Sequence, residues 1–308
     1  MISIRGLTKL YGSVIGVNDV SVDLGDGAHG LLGPNGAGKT TFLGLVTGQL
    51  RPTMGRVLVF GEPPFANPRV LRRIGYCPAA DLLDRTTTPV EWVRYLVRLS
   101  GFPAGTAARL AGDALERVGL GSAARRPLAT LSKGMRQRAK LAGAIAHDPD
   151  LLVLDEPFDG LDPVARHELV ELVRTWARSR SLIVASHLLH EVEALDAGLA
   201  VILGGRLVAS GTAAEIRTLV DSMPAEVRVR CSEPRRFAAL ACGLDGVESV
   251  RLDDDAIVLA TRSPGEVVEQ AVARALDAGL VVSEVVPADR SLEGIFGRLV
   301  RLHRGVHR

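Results

Sequence analysis

The sequence has few cysteines, little net charge and no long apolar run, and each shortage excludes a class of protein. Its three cysteines, Cys77, Cys231 and Cys242, are far apart and form no CxxC pair, so no metal site or disulfide framework is indicated. Three reduced thiols in a cytosolic protein are expected instead. Lysine plus arginine total 37 and acids total 35, a net charge of +2. Nucleic-acid binders usually show a clear basic excess, so we expect no nucleic-acid partner.

No membrane-crossing segment is predicted either. No apolar stretch approaches the ~18–20 residues that a helix needs to cross a bilayer. The N-terminus MISIRGLTKL lacks the apolar h-region of a signal peptide. The 308 residues are 47% apolar and 23% charged, an ordinary globular composition, and they suffice for one large domain or two.

The pattern of apolar residues divides the chain into two parts. Strands alternate with helices over residues 1–221, which predicts an α/β sheet, and residues 68–146 are interpreted as a mainly helical insertion. After a break at Asp221–Pro224, residues 222–308 follow the order βαββαβ, typical of a small α+β ferredoxin-like domain. A last amphipathic helix is predicted at about 291–302.

The strongest chemical signal is a glycine-rich loop between the apolar run His29–Leu32 and a segment of helical character. It fits GxxxxGK[ST], in which glycines let successive backbone N–H groups point at phosphate oxygens. The helix that follows adds the positive end of its dipole. Lys39 is placed to reach the β- and γ-phosphates and the Thr40 hydroxyl to ligate Mg²⁺. The residues expected to bind ATP are Gly33, Pro34, Asn35, Gly36, Ala37, Gly38, Lys39, Thr40 and Thr41.

A pair of acids supplies the second signal. The apolar run Leu151–Leu154 is too short for a helix and fits a buried parallel strand. Such a strand delivers Asp155 and Glu156 to the sheet edge where ligands of open α/β sheets sit. Asp155 is then placed to hold Mg²⁺ through water, and Glu156 to act as general base on the attacking water. Two solvated surface acids are the plainer interpretation, and the loop at 33–41 argues against it.

A third motif, LSKGMRQR at residues 131–138, stands at a predicted helix start, where Ser132 alone indicates no more than a cap. In this order and spacing the three motifs resemble those of the nucleotide-binding subunit of ATP-binding-cassette (ABC) transporters, over about residues 1–220. The resemblance makes residues 33–41 the Walker A loop, 131–135 the signature motif and 151–156 Walker B. It implies a P-loop NTPase with the ABC cassette fold, a mixed sheet plus a helical subdomain.

The resemblance also assigns roles to further positions. It implies that Tyr11 stacks on adenine, that Asp162 is the D-loop acid and that His187 is the switch histidine touching the γ-phosphate. Catalysis is assigned to Glu156, His187 and Lys39.

Two positions depart from the family pattern. Lys133 replaces a signature glycine, although Ser132 and Gly134, the implied γ-phosphate contacts, remain. Ala79 stands where the Q-loop carries glutamine, so we hypothesise that hydrolysis persists through Glu156 and His187 at a lower rate or with weaker coupling.

In this family ATP is sandwiched between the Walker A loop of one protomer and the signature motif of another. The resemblance therefore implies a homodimer or a homologous second ATPase subunit. It also implies a separately encoded transmembrane permease, contacted through residues 68–130, and a position on the cytoplasmic face of the membrane. The signature and the run Ser291–Phe296 are similar to those of ABC-2-type drug-exporter subunits. The expected function is ATP hydrolysis that powers export.

Other interpretations stay open at this point. A soluble ABC protein of translation or DNA repair would carry two cassettes or a long coiled-coil insert, and neither is visible. Ala79 keeps open a third interpretation, a regulator that binds nucleotide but hydrolyses little. The sequence does not identify the transported substrate. For the C-terminal domain, dimerisation, regulation and a purely stabilising role remain alternatives.

Overall fold

A computed structural model describes residues 1–81, 86–212, 214–216, 224–253 and 255–287. The chain divides into two compact units, residues 1–213 and 214–308. The boundary expected from the sequence, 221/222, lies outside the described residues, as do the predicted helix 291–302 and the run Ser291–Phe296.

The first unit opens with a three-stranded antiparallel sheet, in the order β2-β1-β4. Its strands are β1 Ile2–Tyr11, β2 Val14–Leu24 and β4 Met54–Val59. β1 and β2 form the two strands expected from their alternating apolar residues, which bury Ile2 and Ile4 against the core. Gly12 supplies the positive φ, 63°, in the turn between them.

The second sheet positions the site. In the described part of the chain it has the order β5-β6-β7-β3-β8-β9, parallel except for the antiparallel edge strand β9. Every residue of β6 and β7 is buried, as the unbroken apolar runs predict for central parallel strands. The strands are β3 Ala28–Leu32, β5 Ile74–Cys77, β6 Leu151–Asp155, β7 Ser181–Ser186, β8 Gly198–Leu203 and β9 Arg206–Gly211.

The prediction of a mainly helical segment over residues 68–146 needs one correction. β5 lies within it and pairs with β6 in the sheet, and sequence reasoning also missed β9. β5 has only four residues and includes Gly75, where a Cβ atom would meet the carbonyl oxygen of Ala144. Such a strand has too few side chains to show a period of two.

The helices otherwise begin and end close to their predicted limits. Ser132 is the N-cap of the helix that follows it and accepts a hydrogen bond from the Met135 amide at 3.2 Å, as expected. Thr88 and Glu91 form a capping box at the start of another helix. The helices of the first unit are α1 Lys39–Val46, α2 Pro68–Leu71, α3 Pro89–Leu99, α4 Ala104–Arg117, α5 Lys133–Ile145, α6 Pro163–Ala177 and α7 Leu189–Glu193. Among the described residues no helix is both long and apolar enough to span a bilayer.

The second unit has the predicted order βαββαβ. Its antiparallel sheet runs β11-β12-β10-β13, and its core is built on residues such as Val229, Phe237 and Leu259. The elements are β10 Ala225–Cys231, a helix Pro234–Ala241, β11 Val247–Asp253, β12 Ala256–Thr261, a helix Pro264–Asp277 and β13 Val282–Pro287.

Candidate nucleotide site

The glycine-rich loop connects β3 to α1, as the sequence predicts. Gly36 and Gly38 have positive φ angles, 79° and 106°, and Gly38 is the N-cap of α1. A Cβ atom on Gly38 would meet the carbonyl oxygen of Gly16, so only glycine fits there. Because α1 begins at Lys39, its first amide groups have no partner within the helix and are free to bind an anion.

Lys39 lies over this loop and is only 6% exposed. Its Nζ donates hydrogen bonds to the carbonyl oxygens of Gly33, at 2.5 Å, and Pro34, at 3.2 Å. The same nitrogen lies 3.0 Å from Glu156 Oε1, an ion pair without the alignment of a hydrogen bond. The ammonium group is therefore fixed at the loop, at the place where the terminal phosphates of a nucleotide would lie.

The Thr40 hydroxyl and the Asp155 carboxylate form the pair expected at a magnesium site. Thr40 Oγ1 donates to Asp155 Oδ2 at 2.8 Å. Asp155 is 1% exposed, and its Oδ1 has no hydrogen-bond partner among the described residues. Burial raises the pKa of this carboxyl group. An unpartnered buried carboxylate oxygen beside a hydroxyl fits Mg²⁺, which takes one or two protein oxygens and completes its shell with water and phosphate.

Glu156 connects the loop to the end of β7. Its backbone is left-handed, with φ 46°, and its amide donates to the Ala185 carbonyl oxygen at 2.9 Å. Glu156 Oε2 lies 2.8 Å from His187 Nδ1, while Oε1 faces Lys39. The three residues that the sequence assigned to catalysis therefore meet in one chain of contacts.

His187 is positioned by a buried cluster that sequence reasoning missed. Ser186 Oγ donates to Glu191 Oε2 at 2.5 Å and accepts from the Leu188 amide at 2.9 Å, which fixes the turn on both sides of the histidine. Glu191 is buried, its pKa is raised by that burial, and Arg166 Nε lies 3.7 Å from Oε1. The only signal in the sequence is a serine before the histidine and a glutamate four residues after it.

The loop borders a cavity of about 420 Å³. Tyr11 stands at its edge, 46% exposed, with Lys9 Nζ 5.4 Å from the ring centroid. Val14, Ile15 and Gly16 extend this apolar wall, and the sequence analysis did not identify them. The other lining residues are Pro34, Asn35, Gly36, Ala37, Gly38, Lys39, Thr40, Thr41, Ala79, Asp155 and Glu156.

Besides Gly33, whose carbonyl oxygen accepts from Lys39, three predicted binding residues do not line this cavity in the described part of the chain. Ser132 caps α5, and Gly134 lies beside Ala165 of α6. Asp162 caps α6 by accepting hydrogen bonds from the Val164 and Ala165 amides at 3.1 and 2.9 Å. Each has a local structural role, and none contacts the loop of its own chain through a described hydrogen bond.

Ala79 borders both the main cavity and an adjoining recess of about 230 Å³. Its methyl group offers no hydrogen bond to either space. The recess is lined by Asn35, Ala79, Asp81, Lys133, Arg136, Gln137, Lys140, Glu156, Asp159 and His187.

A strand–loop–helix phosphate cradle beside a buried aspartate and a glutamate–histidine pair defines a P-loop NTPase of the ABC class. The family model for ABC transporters matches residues 17–159. The Nod factor export ATP-binding protein I of Cupriavidus pinatubonensis is 38% identical over 225 residues, 72% of this chain and 68% of that protein. The daunorubicin/doxorubicin resistance ATP-binding protein of Streptomyces peucetius is 33% identical, covering 85% of this chain and 80% of the relative. The chain belongs to the family of ABC transporter ATP-binding subunits, and it is an ATPase.

Two further similarities extend this comparison. The Nod factor export ATP-binding protein I of Rhizobium sp. strain N33 is 34% identical over 97% of this chain and 96% of its own length. A solved structure of an ATP-binding subunit of an ABC transporter has a TM-score of 0.63 and 27% identity, and covers 71% of this chain and 92% of its own. These relatives favour a transporter ATPase over a soluble factor of translation or repair.

Proposed function

We propose that this chain binds ATP with Mg²⁺ in the cavity beside residues 33–41 and hydrolyses it to power an exporter whose membrane subunit is a separate protein. The observation that carries the proposal is the continuous chain of contacts from Lys39 through Glu156 to His187, next to the Thr40–Asp155 pair. These groups supply phosphate binding, a base and a metal site within one cavity.

In this proposal the nucleotide lies along the wall that joins Tyr11 to α1. The Tyr11 ring and the side chains of Val14 and Ile15 offer an apolar, partly exposed surface on which adenine can stack. The loop amides and Lys39 take the phosphates. Mg²⁺ would be held by Thr40 Oγ1 and by Asp155, where it would neutralise charge on the phosphate oxygens.

Glu156 is the general base of the proposed reaction. A carboxylate within hydrogen-bond reach of water beside the γ-phosphate can accept the proton that the attacking water loses. His187 Nδ1, at 2.8 Å, holds one oxygen of that carboxylate in place. The Ser186–Glu191 hydrogen bond in turn holds the turn that carries the histidine.

The site is proposed to be completed by a second ATPase subunit, either another copy or a homologue. Ser132 and Gly134 begin α5 and line neither the cavity nor the recess of their own chain among the described residues. In the family arrangement implied by the motifs, these residues face the γ-phosphate of the nucleotide bound to the other protomer. ATP then holds two cassettes together, and hydrolysis releases them.

A groove on the helical segment is the proposed contact for the permease. It has a volume of about 410 Å³ and includes Leu71, Tyr76, Leu96 and His147. Leu99, 67% exposed, stands on its rim. Exposed apolar side chains around a groove mark a protein contact, which here would be a cytoplasmic segment of the permease. The chain would then act as a peripheral protein on the cytoplasmic face of the membrane.

The cargo is not assigned by these residues, because the proposal leaves its recognition to the permease. Nod factor export and daunorubicin/doxorubicin resistance are functions of the relatives named above. For residues 224–287, a role in dimerisation or regulation remains a prediction. The polar face of their sheet carries ion pairs such as Arg228–Asp253 and Arg230–Glu284.

ATP turnover with Mg²⁺ tests the catalytic part of the proposal. Glu156→Gln removes the base but keeps the size of the side chain, so the rate should fall by roughly 10²–10⁴-fold while ATP still binds. Glu168→Gln, which changes an exposed acid on α6, is the matched control and should keep the wild-type rate. A wild-type rate no faster than that of Glu156→Gln would instead support a regulator that binds nucleotide without appreciable hydrolysis.

Co-purification with a co-expressed permease tests the membrane part. The neighbouring gene is the place to look for a six-helix membrane protein to co-express. Leu99→Asp places a charge on the rim of the groove and should lower recovery of the chain with the membrane fraction. Turnover of the isolated chain should stay unchanged, because Leu99 lies on α3 and borders neither the nucleotide cavity nor the recess. Equal recovery of the wild-type chain and of Leu99→Asp with the membrane fraction would place the permease contact elsewhere.

A further inference from the structure

The segment that follows β5, residues 78–81, forms a wall of the nucleotide site, and Ala79, its residue at the main cavity, has no side chain able to sense a nucleotide. Ala79 borders both the main cavity and the recess, and its methyl group neither donates nor accepts a hydrogen bond. Contacts to the backbone are therefore what can fix the wall at Ala79 itself.

Lys140 supplies those contacts. It lies in the third turn of α5, is 7% exposed, and directs its ammonium group at three successive carbonyl oxygens. Nζ donates to the oxygens of Pro78 at 2.7 Å, Ala79 at 3.2 Å and Ala80 at 3.2 Å. An ammonium group has three N–H donors, so this arrangement uses all of them.

This arrangement restricts both the buried ammonium group and the backbone of residues 78–80. Burial lowers the pKa of Lys140, because the charged form loses water. A buried ammonium group is tolerated only where hydrogen bonds replace its hydration. The three carbonyls can converge on one nitrogen in few backbone conformations, so the lysine selects one path for residues 78–80.

Two neighbours on α5 extend the attachment. Arg136, one turn before Lys140, places Nε 3.2 Å from Asp81 Oδ2 and donates through Nη1 to the Leu131 carbonyl oxygen at 2.6 Å. Gln137 Nε2 lies 3.8 Å from Cys77 Sγ. The chain from Cys77 to Asp81 is thus attached along its length to α5, the helix that Ser132 caps.

We propose that Lys140 is a positioning residue: through the three carbonyls of residues 78–80 it fixes the wall of the nucleotide site at Ala79 and makes this segment move as one body with α5. The inference rests on the proposed function of the cavity. A Q-loop side chain would contact the nucleotide site directly. Here α5, the helix at the signature motif (residues 131–135), takes over that connection, and it does so through the backbone of residues 78–80.

The thiol of Cys77 provides a test that does not depend on ATP turnover. Cys77 is fully buried and precedes the segment, so it reacts only when the segment opens. The full chain with Cys231→Ala and Cys242→Ser keeps Cys77 as its single thiol. Its labelling by an aromatic disulfide reagent is followed at a pH where the fold is intact.

Lys140→Met should accelerate labelling of Cys77 by roughly ten-fold or more, since local opening governs access. Burial raises the Cys77 pKa to about 11, and the Lys140 charge acts to lower it. Loss of that charge alone would therefore slow labelling, so acceleration reports opening. Lys140→Arg keeps the charge, but its planar group cannot reach three converging carbonyls, so its labelling rate should lie between those of the wild type and Lys140→Met.

Arg138→Met is the matched control for the labelling experiment. Arg138 lies on the same helix and donates to the Val118 carbonyl oxygen at 3.1 Å, on the other side of the helix from residues 78–80. It should leave the labelling rate unchanged. An unchanged or slower rate for both Lys140 variants, with the fold intact, would overturn the inference.

Kinetics supply the second test. Lys140→Met should lower kcat for ATP by roughly ten-fold to 100-fold with little change in KM, because the wall is displaced while the phosphate loop is intact. Adding Ala79→Gln to this variant should restore part of kcat, since glutamine provides the missing contact by its side chain. Loss of kcat without any recovery in the double variant would assign Lys140 to fold stability alone.

A wild-type chain without ATP turnover would contradict the proposed function, whereas the labelling result for Lys140 would still stand.

Discussion

Replacing Asp155 by asparagine should make the cassette more stable while removing its chemistry. The wild-type carboxylate is 1% exposed, with Oδ1 lacking a hydrogen-bond partner among the described residues. Thr40 Oγ1 gives the only described hydrogen bond, to Oδ2, and burial raises the pKa of the group. A charge in this position costs stability, which a bound cation would offset. Asparagine keeps the shape and an oxygen for Thr40, and it carries no charge.

The size of the effect follows from the unpartnered oxygen. A buried acceptor without a partner costs about 1–3 kcal/mol. The amide of asparagine brings two N–H donors into the same space, so the lower end of this range is the better estimate. A gain of ~1 kcal/mol corresponds to a rise in Tm of ~2–4 °C for a unit of this size.

The pH dependence has a definite sign. A carboxyl group whose folded pKa is raised binds its proton more tightly in the folded chain than in the unfolded chain. Its contribution to the free energy of unfolding therefore falls as pH rises above the ordinary aspartate pKa of ~3.9. Without Mg²⁺, the advantage of Asp155→Asn should vanish as pH falls towards 4 and should grow as pH rises through the raised folded pKa of Asp155.

Tryptophan fluorescence during urea unfolding measures this directly. Trp92 and Trp176 are the chain's two tryptophans, and both lie in the first unit, so the signal reports the cassette. Asp150→Asn is the matched control, because its carboxylate is partly exposed and pairs with Arg73 at 2.6 Å. That variant should be unchanged or slightly less stable. If Asp155→Asn unfolds at a lower urea concentration than the wild type, the argument from the unpartnered oxygen is wrong.

Two further substitutions test the packing and the base-binding wall. Gly75→Ala should cost about 1–3 kcal/mol, because its Cβ would meet the Ala144 carbonyl oxygen. Gly112→Ala should stabilise α4 by ~0.5–1 kcal/mol, because, apart from its chain neighbours and the backbone of its own helix, no atom of the described residues lies within 4 Å of a Cβ placed there. Urea unfolding compares the two variants, and equal effects would contradict the packing argument. Tyr11→Ala should weaken ATP binding by about 1–3 kcal/mol if adenine stacks on the ring, with kcat unchanged. Tyr95→Ala, another exposed tyrosine, is its control in a fluorescent-ATP titration, and similar losses in both would argue against stacking.

The sequence predicts the structure best where nearby residues alone determine it. The run Leu151–Leu154 is apolar because β6 is buried on both faces, so the strand and its two acids follow from composition. Ser132 caps α5 because its side chain satisfies an amide within three residues. The loop at 33–41 is recognisable because its glycines have conformations that other residues rarely adopt.

Features that depend on distant parts of the chain were not predictable. Lys140 stands in the run AKLAGAIA, where helical periodicity says nothing about a bond to residues 60 positions away. Gly75 and Cys77 make a strand only because β6 lies beside them. The Ser186–Glu191 bond needs β7 to end at Ser186 and α7 to turn back, and neither residue type alone indicates that contact.

The residues that cost the cassette stability are those its chemistry uses. Glu156 has a left-handed backbone, with φ 46°, which costs a non-glycine residue roughly 1–2 kcal/mol. Among the described residues, Asp155 keeps a buried oxygen without a hydrogen-bond partner. The fully buried strands β6 and β7 hold Asp155, Glu156 and His187 in place, because Asp155 is the last residue of β6, Glu156 follows it and His187 follows β7. Substitutions that remove the backbone strain at Glu156 or the unpartnered oxygen of Asp155 should therefore raise the free energy of unfolding or loosen the site. In either case they should lower ATP turnover.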